Sequence, residues 1–160
     1  MKTKTFLFKL LPYKRLSILT VVVVLLLSGC SANPGPCGGA TKVSFDAEDG
    51  VSLSGYLFGS GDVGIILSHM RLGDQANWWP FARVLRGKGY QVLTYDFRGY
   101  RDSQGELDVG NIDIDLEAAL GFLRNESVSR VFLIGASMGG TASLKIAARR
   151  DVAGVVTISA

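Results

Sequence analysis

Past residue 41 the chain alternates between short apolar runs and amphipathic stretches, and this alternation predicts its elements. "KVSFDAEDGVSLSGYLF", Lys42 to Phe58, has a period of two on either side of the polar turn "EDG", the pattern of an antiparallel hairpin. "VGIILS" (Val63 to Ser68), "YQVLTYD" (Tyr90 to Asp96) and "RVFLIG" (Arg130 to Gly135) are apolar runs of the kind expected of strands buried on both faces, and "AGVVTIS" (Ala153 to Ser159) begins a fourth strand. Between them lie three stretches with helical spacing. The first, "NWWPFARVLRGKG", places Asn77 as an N-cap and Pro80 in the first turn, with Trp78, Phe81, Ala82 and Leu85 on one side. In the second, Ile112, Leu116, Ala119, Leu120 and Leu123 share a face. Its acids Asp113, Asp115 and Glu117 sit in the first half and Arg124 at the end, in agreement with the helix dipole. The third is "MGGTASLKIAARR", Met138 to Arg150.

Strands alternating with helices predict an α/β fold, a mostly parallel sheet with helices on both faces, here preceded by an N-terminal antiparallel hairpin. In such sheets functional groups gather at the carboxyl ends of the strands, which draws attention to the residues after Leu67, Tyr95 and Ile134. The 160 residues, 48% apolar and 19% charged, suit one modest domain.

The net charge of +3 does not describe that domain. Five of the 17 cations (Lys2, Lys4, Lys9, Lys14 and Arg15) precede the apolar run "LSILTVVVVLLL", and the remaining 12 face all 14 acids, for a balance of −2. The basic excess therefore belongs to targeting, and nucleic acid is not an expected partner. A basic start, an apolar core from Leu16 to Leu27 and small residues after it read as a secretory signal, too short to span a bilayer comfortably. "LSGC", Leu27 to Cys30, resembles a bacterial lipobox, which implies a lipidated Cys30 and attachment to a bacterial cell membrane on the exported side. The expected organisation is a signal peptide over 1–29, a lipidated flexible tether over 30–40 and the folded domain over 41–160. A Cys30 to Cys37 disulfide is the alternative, and it would exclude the lipid.

The chemistry points to "GASMG", Gly135 to Gly139, a GxSxG pattern that follows an apolar strand and opens a helix. A serine on so tight a turn takes a strained backbone and pushes its Oγ outward, and the flanking glycines remove side chains that would collide. Ser137 is thus the candidate nucleophile. The Met138 N–H, at the positive end of the helix, is a candidate oxyanion donor.

With these residues in place, the stretch from about Thr41 to Ala160 resembles the α/β-hydrolase family, in particular its serine aminopeptidase, monoacylglycerol lipase and dienelactone hydrolase members. The family's His-Gly pair corresponds to His69 and Met70 in "SHMRLGD". The resemblance implies a second oxyanion donor in the backbone N–H of Arg71, with Met70 the less favoured choice, and a loop-shaping role for His69. "DFRGYRDSQG" resembles the family's "DxRGxGxS" segment, with Asp96, Arg98, Gly99 and Ser103 in place as supports and Arg101 where glycine is common. An Arg101 facing the cleft is the alternative.

The family orders its triad Ser, then acid, then His. The single histidine here, His69, precedes Ser137, so neither base nor acid is expected within the chain, and Asp74, Asp96 and Asp102 read as surface or supporting carboxylates. One His and two Cys do not compose a zinc site, and no GxGxxG occurs, so no metal or cofactor is expected. Two readings follow. The chain is an N-terminal fragment of a truncated α/β-hydrolase fold, acting on a small ester, lipid or peptide substrate but inactive as given. Otherwise it is a lipid-anchored binding protein with a degenerate hydrolase fold.

Overall fold

A computed structural model describes residues 35–36 and 38–159. The expected signal segment, Cys30 and Cys37 lie outside the described residues.

Among the described residues six strands form one sheet: β1 Ala40–Asp46, β2 Ser52–Phe58, β3 Val63–Ser68, β4 Gln91–Tyr95, β5 Arg130–Ala136 and β6 Gly154–Ile158. Their order is β1-β2-β4-β3-β5-β6. The hairpin β1–β2 is antiparallel, with Asp46 opposite Ser52, and its turn closes through the Gly50 N–H donating to the Ala47 carbonyl (2.9 Å). Gly50 has φ +84°, the left-handed region that a side chain disfavours. The strand β2 joins β4 antiparallel, and β4, β3, β5 and β6 run parallel. The parallel sheet and its leading hairpin are as the apolar runs predict.

Helix α1, Trp79–Gly87, connects β3 to β4, α2, Ile112–Asn125, connects β4 to β5, and α3, Met138–Ala147, connects β5 to β6. Side chains alternate across each strand and build a core on either face. Ile65, Leu67 and Val92 meet Ala82 and Leu85 of α1. Ile66, Leu93, Tyr95, Val131 and Leu133 point the other way, onto Leu116, Leu120 and Leu123 of α2 and Ala142 and Ile146 of α3. Each fully buried leucine of this layer contributes about 1.5–3 kcal/mol. The hairpin is tied to the second face by Phe45, which stacks on Phe122 at 5.0 Å.

One local expectation needs correction. Asn77 is not the N-cap of α1. A 3₁₀ turn, Gln75–Trp78, comes first and is capped by Asp74, whose carboxylate accepts the Ala76 N–H (2.8 Å) while Asn77 Oδ1 accepts the Asp74 N–H (3.0 Å). This reciprocal box satisfies donors that a helix start leaves open, and Asn77 is its third residue rather than its first. Asp115 stands in the first turn of α2, where an acid suits the helix dipole, but it does not face solvent. It is completely buried, and Arg98 grips it: Nε (2.8 Å) and Nη2 (2.7 Å) donate to Oδ1 and the Arg98 N–H (2.9 Å) to Oδ2. The remaining Arg98 nitrogen, Nη1, donates to Asp49 on the hairpin turn (2.6 Å).

Candidate active site

The loops after β3, β4 and β5 converge at one end of the sheet, and Ser137 stands at the tip of β5. Its backbone has φ +47° and ψ −112°, a conformation costly for a residue with a side chain. The bend is held on both sides. The Ser137 N–H donates to the Ile158 carbonyl of β6 (2.8 Å), and the Ser137 carbonyl accepts the Thr141 N–H (2.9 Å) as the first bond of α3. The serine is exposed, and its side chain does not cap α3.

The flanking glycines carry the reason for the motif. A Cβ on Gly135 would overlap the Gly139 carbonyl, and a Cβ on Gly139 would overlap the backbone carbonyl of Ser68 on β3. Strand and helix therefore meet backbone to backbone at this turn. Gly139→Ala is expected to lower stability by about 1–3 kcal/mol, the usual cost of overpacking, because its neighbour is main chain and cannot rotate aside. Urea unfolding checks this. A change below about 0.5 kcal/mol would show that the turn is slack.

The helix α3 starts at Met138, so its first N–H groups have no acceptor within the helix and the positive end of its dipole lies beside Ser137. Facing this turn is the loop after β3. Met70, Arg71, Leu72 and Ser137 together line a cavity of about 370 Å³. An adjoining apolar cavity of about 190 Å³ lies between Met70, Trp78, Ala136 and Ile158.

Hydrogen bonds fix the orientation of that loop. The Phe97 N–H donates to His69 Nε2 (3.1 Å), so this nitrogen carries no proton and the hydrogen is on Nδ1, which donates to the Met70 carbonyl (2.8 Å). Gly73 N–H donates to the same carbonyl (3.1 Å). In a planar trans peptide the N–H opposes the C=O, so a Met70 carbonyl turned to His69 directs the Arg71 N–H the other way. The Tyr100 hydroxyl donates to the Arg71 carbonyl (2.6 Å) and sets the next peptide. Tyr100 was not singled out by the sequence, where only a phenol one place before Arg101 is visible.

His69 has both ring nitrogens engaged, is 1% exposed, and sits between the Phe97 and Tyr100 rings at 5.0 and 4.7 Å. Burial holds its pKa below the ordinary 6.5. Asp96 Oδ1 is 3.8 Å from Nε2, but a neutral imidazole makes no ion pair with it. His69 stabilises the fold fully above its ordinary value, and this contribution is lost as pH falls through the lowered value, where the buried ring must charge. Because the chain has one histidine, its NMR signal needs no assignment. The ring is expected as the neutral Nδ1–H tautomer at pH 7.5, above its ordinary value. An imidazolium or an Nε2–H signal there contradicts the bonding described.

The other carboxylates are committed elsewhere. Asp96 is fully buried and accepts the Gln75 N–H (2.9 Å) and Gln75 Nε2 (2.6 Å), while Gln75 Oε1 accepts the Thr94 hydroxyl (3.0 Å). Burial pushes the Asp96 pKa up to about 6. Ser103 links two strands by donating to the Asp96 carbonyl (2.6 Å) and accepting the Ser54 N–H (2.9 Å). Asp102 pairs with Lys42 (2.6 Å), and Arg101 with Asp74 (2.6 Å) at the capped 3₁₀ turn. Arg101 has φ +44°, which explains why glycine suits this place. The arginine accepts a strain of about 1–2 kcal/mol and gains the Asp74 pair.

An exposed serine on a strained strand-to-helix bend, facing a pinned loop at the carboxyl end of a parallel sheet, defines a nucleophile-elbow arrangement. The family model described as alpha/beta hydrolase fold matches residues 65–160, and the chain belongs to that family. Curated relatives include the uncharacterized protein YfhR of Escherichia coli (strain K12), 29% identical over 72% of this chain and 44% of that protein. Another is the uncharacterized protein Rv2307c of Mycobacterium tuberculosis, 28% identical over 79% of this chain and 49% of its own length. Among solved structures the Pyrococcus furiosus esterase Pf2001 superposes with a TM-score of 0.71 at 27% identity, over 79% of this chain and 56% of the esterase. This chain spans about half the length of the curated relatives it matches.

Proposed function

We propose that this chain is the N-terminal part of a serine hydrolase that cleaves a carboxylic ester, thioester or amide through an acyl-enzyme on Ser137. Ser137 Oγ attacks the carbonyl carbon and loses its proton to a base. The carbonyl oxygen becomes an oxyanion held by the Met138 and Arg71 N–H groups. The base returns the proton to the leaving group, and water then hydrolyses the acyl-enzyme. Each oxyanion donor is worth about 2.7–4 kcal/mol in such sites. The observation that carries the reading is the backbone of Ser137, strained and exposed between glycines that admit no side chain.

Base and acid are assigned to residues following Ala160 in a longer protein. Three facts support this: both His69 nitrogens are occupied, the chain covers about half of its relatives, and Val156 and Ile158 of β6 leave half their surface uncovered. Loss of the histidine from a triad costs about 10⁶ in turnover, so the 160 residues alone are assigned little activity. The test is expression of the reading frame continued beyond Ala160. Hydrolysis of a p-nitrophenyl ester by the continued chain and not by residues 1–160 supports the proposal. A stop codon directly after Ala160, or equal activity of the two, overturns it.

We also propose that Cys30 carries a lipid anchor on the exported side of a bacterial membrane, as the tetrad Leu27 to Cys30 suggests. Two acyl chains, at about 0.8 kcal/mol per buried CH₂, would hold the protein stably.

A further inference from the structure

We infer that the outer face of α1, together with the rim of the loop after β3, lies against an anionic lipid bilayer. This inference goes beyond acyl transfer, and its connectivity argument rests on the anchor proposed at Cys30.

Four apolar side chains here face solvent: Leu72 is 96% exposed, Val84 54%, Met70 44% and Phe81 41%. They are connected. Met70 and Trp78 share the wall of one cavity, the Trp78 ring lies 6.2 Å from that of Phe81, and Val84 follows Phe81 by one helical turn. Scattered exposed apolar residues need no explanation, whereas a continuous strip of them marks a contact surface.

The charge around the strip selects the occupant. Arg71, Arg83, Arg86 and Lys88 are exposed, and no acid occurs between Asp74 and Asp96. Asp74 itself is engaged by Arg101 at 2.6 Å. An apolar strip on a segment that carries cations and no acid matches a surface with anionic headgroups outside and acyl chains beneath.

Chain connectivity brings the membrane within reach. Arg86 Nη1 donates to the Gly38 carbonyl (3.0 Å), so the polypeptide enters the fold beside the C-terminal end of α1. Cys30 precedes Gly38 by eight residues, which extend to at most about 28 Å. An anchor at Cys30 would keep this end of α1 within a tether's length of the bilayer. The same rim borders the cavity shared with Ser137.

The test uses the full chain, purified from bacterial membranes and reconstituted in vesicles, with Cys37→Ser and one nitroxide on Leu72→Cys, Val84→Cys or, as control, Leu144→Cys on the opposite face of the sheet. In phosphatidylglycerol-containing vesicles the ratio of oxygen to nickel-chelate accessibility is expected to be severalfold higher at 72 and 84 than at 144. In pure phosphatidylcholine, or with Arg83→Glu and Lys88→Glu combined, that contrast falls to the control value. Equal ratios at all three positions overturn the inference, as does a contrast that survives the double charge reversal. Exclusion of both reagents from 72 and 84 also overturns it, since a protein segment then covers the face. Labelling of Cys30 by the nitroxide reagent would mean an unmodified thiol and would count against the anchor alone, and Cys30→Ser then restores a single label from which the contrast is read.

Discussion

Ser137→Ala in the protein continued beyond Ala160 is expected to lower turnover of an activated ester by about 10⁶, to the residue of binding and oxyanion stabilisation that a triad enzyme retains without its nucleophile. The size of the loss follows from how little else the turn can do. Ser137 does not cap α3, and the residue is exposed, so alanine removes the proposed nucleophile and almost no packing. Stability should change by less than about 0.5 kcal/mol, as for other surface substitutions. Steady-state kinetics with urea unfolding checks both halves. A variant that keeps more than about a hundredth of the turnover would remove Ser137 from the chemistry.

Arg98→Ala is expected to produce the largest loss of stability, about 3–5 kcal/mol, because it leaves the Asp115 carboxylate charged inside the core without a partner. Asp115 accepts three hydrogen bonds, all from Arg98, at the start of the loop that carries Tyr100 and Arg101. The contrast is Arg149, which pairs with Asp113 (2.6 Å) and Glu117 (2.9 Å) but is 39% exposed. Arg149→Ala should cost no more than about 1 kcal/mol, since water screens such pairs. Replacing Arg98 and Asp115 together by apolar residues of similar volume should recover most of the loss. Urea unfolding of the three variants decides the matter, and equal losses for Arg98→Ala and Arg149→Ala would show that the buried ion pair is not special.

The strands were legible in the sequence because burial on two faces writes continuous apolar runs, and Val63–Ser68 is observed as read. The bend at Ser137 was legible because the backbone contacts of Gly135 and Gly139 leave room for hydrogen alone. What stayed hidden shares a physical cause, which is that local patterns do not name distant partners. Asp115 matched the dipole rule, while its partner Arg98 lies 17 residues away across a loop. Asp74 and Asn77 are both good capping residues, and their reciprocal bonds, not their types, decide which begins the turn. Gln75, buried between Asp96 and Thr94, shows nothing in its surroundings that marks it as interior.

The site was legible to the same degree. Its candidate nucleophile Ser137 and the loop after β3 were singled out by short motifs, whereas the pinning of that loop by His69, Gly73 and Tyr100 depends on side chains and carbonyls meeting in space. The departure from glycine at Arg101 became intelligible once its positive φ and the Asp74 pair were seen together.

The central claim is that the bend at Ser137 presents a hydroxyl ready for acyl transfer once a base is supplied. It is tested most directly by treating the protein continued beyond Ala160 with a fluorophosphonate and mapping the adduct by mass spectrometry. A single phosphonylated residue, Ser137, is expected, with no adduct on residues 1–160 expressed alone. An adduct on any other residue, or undiminished labelling of Ser137 in the 160-residue chain, would contradict it.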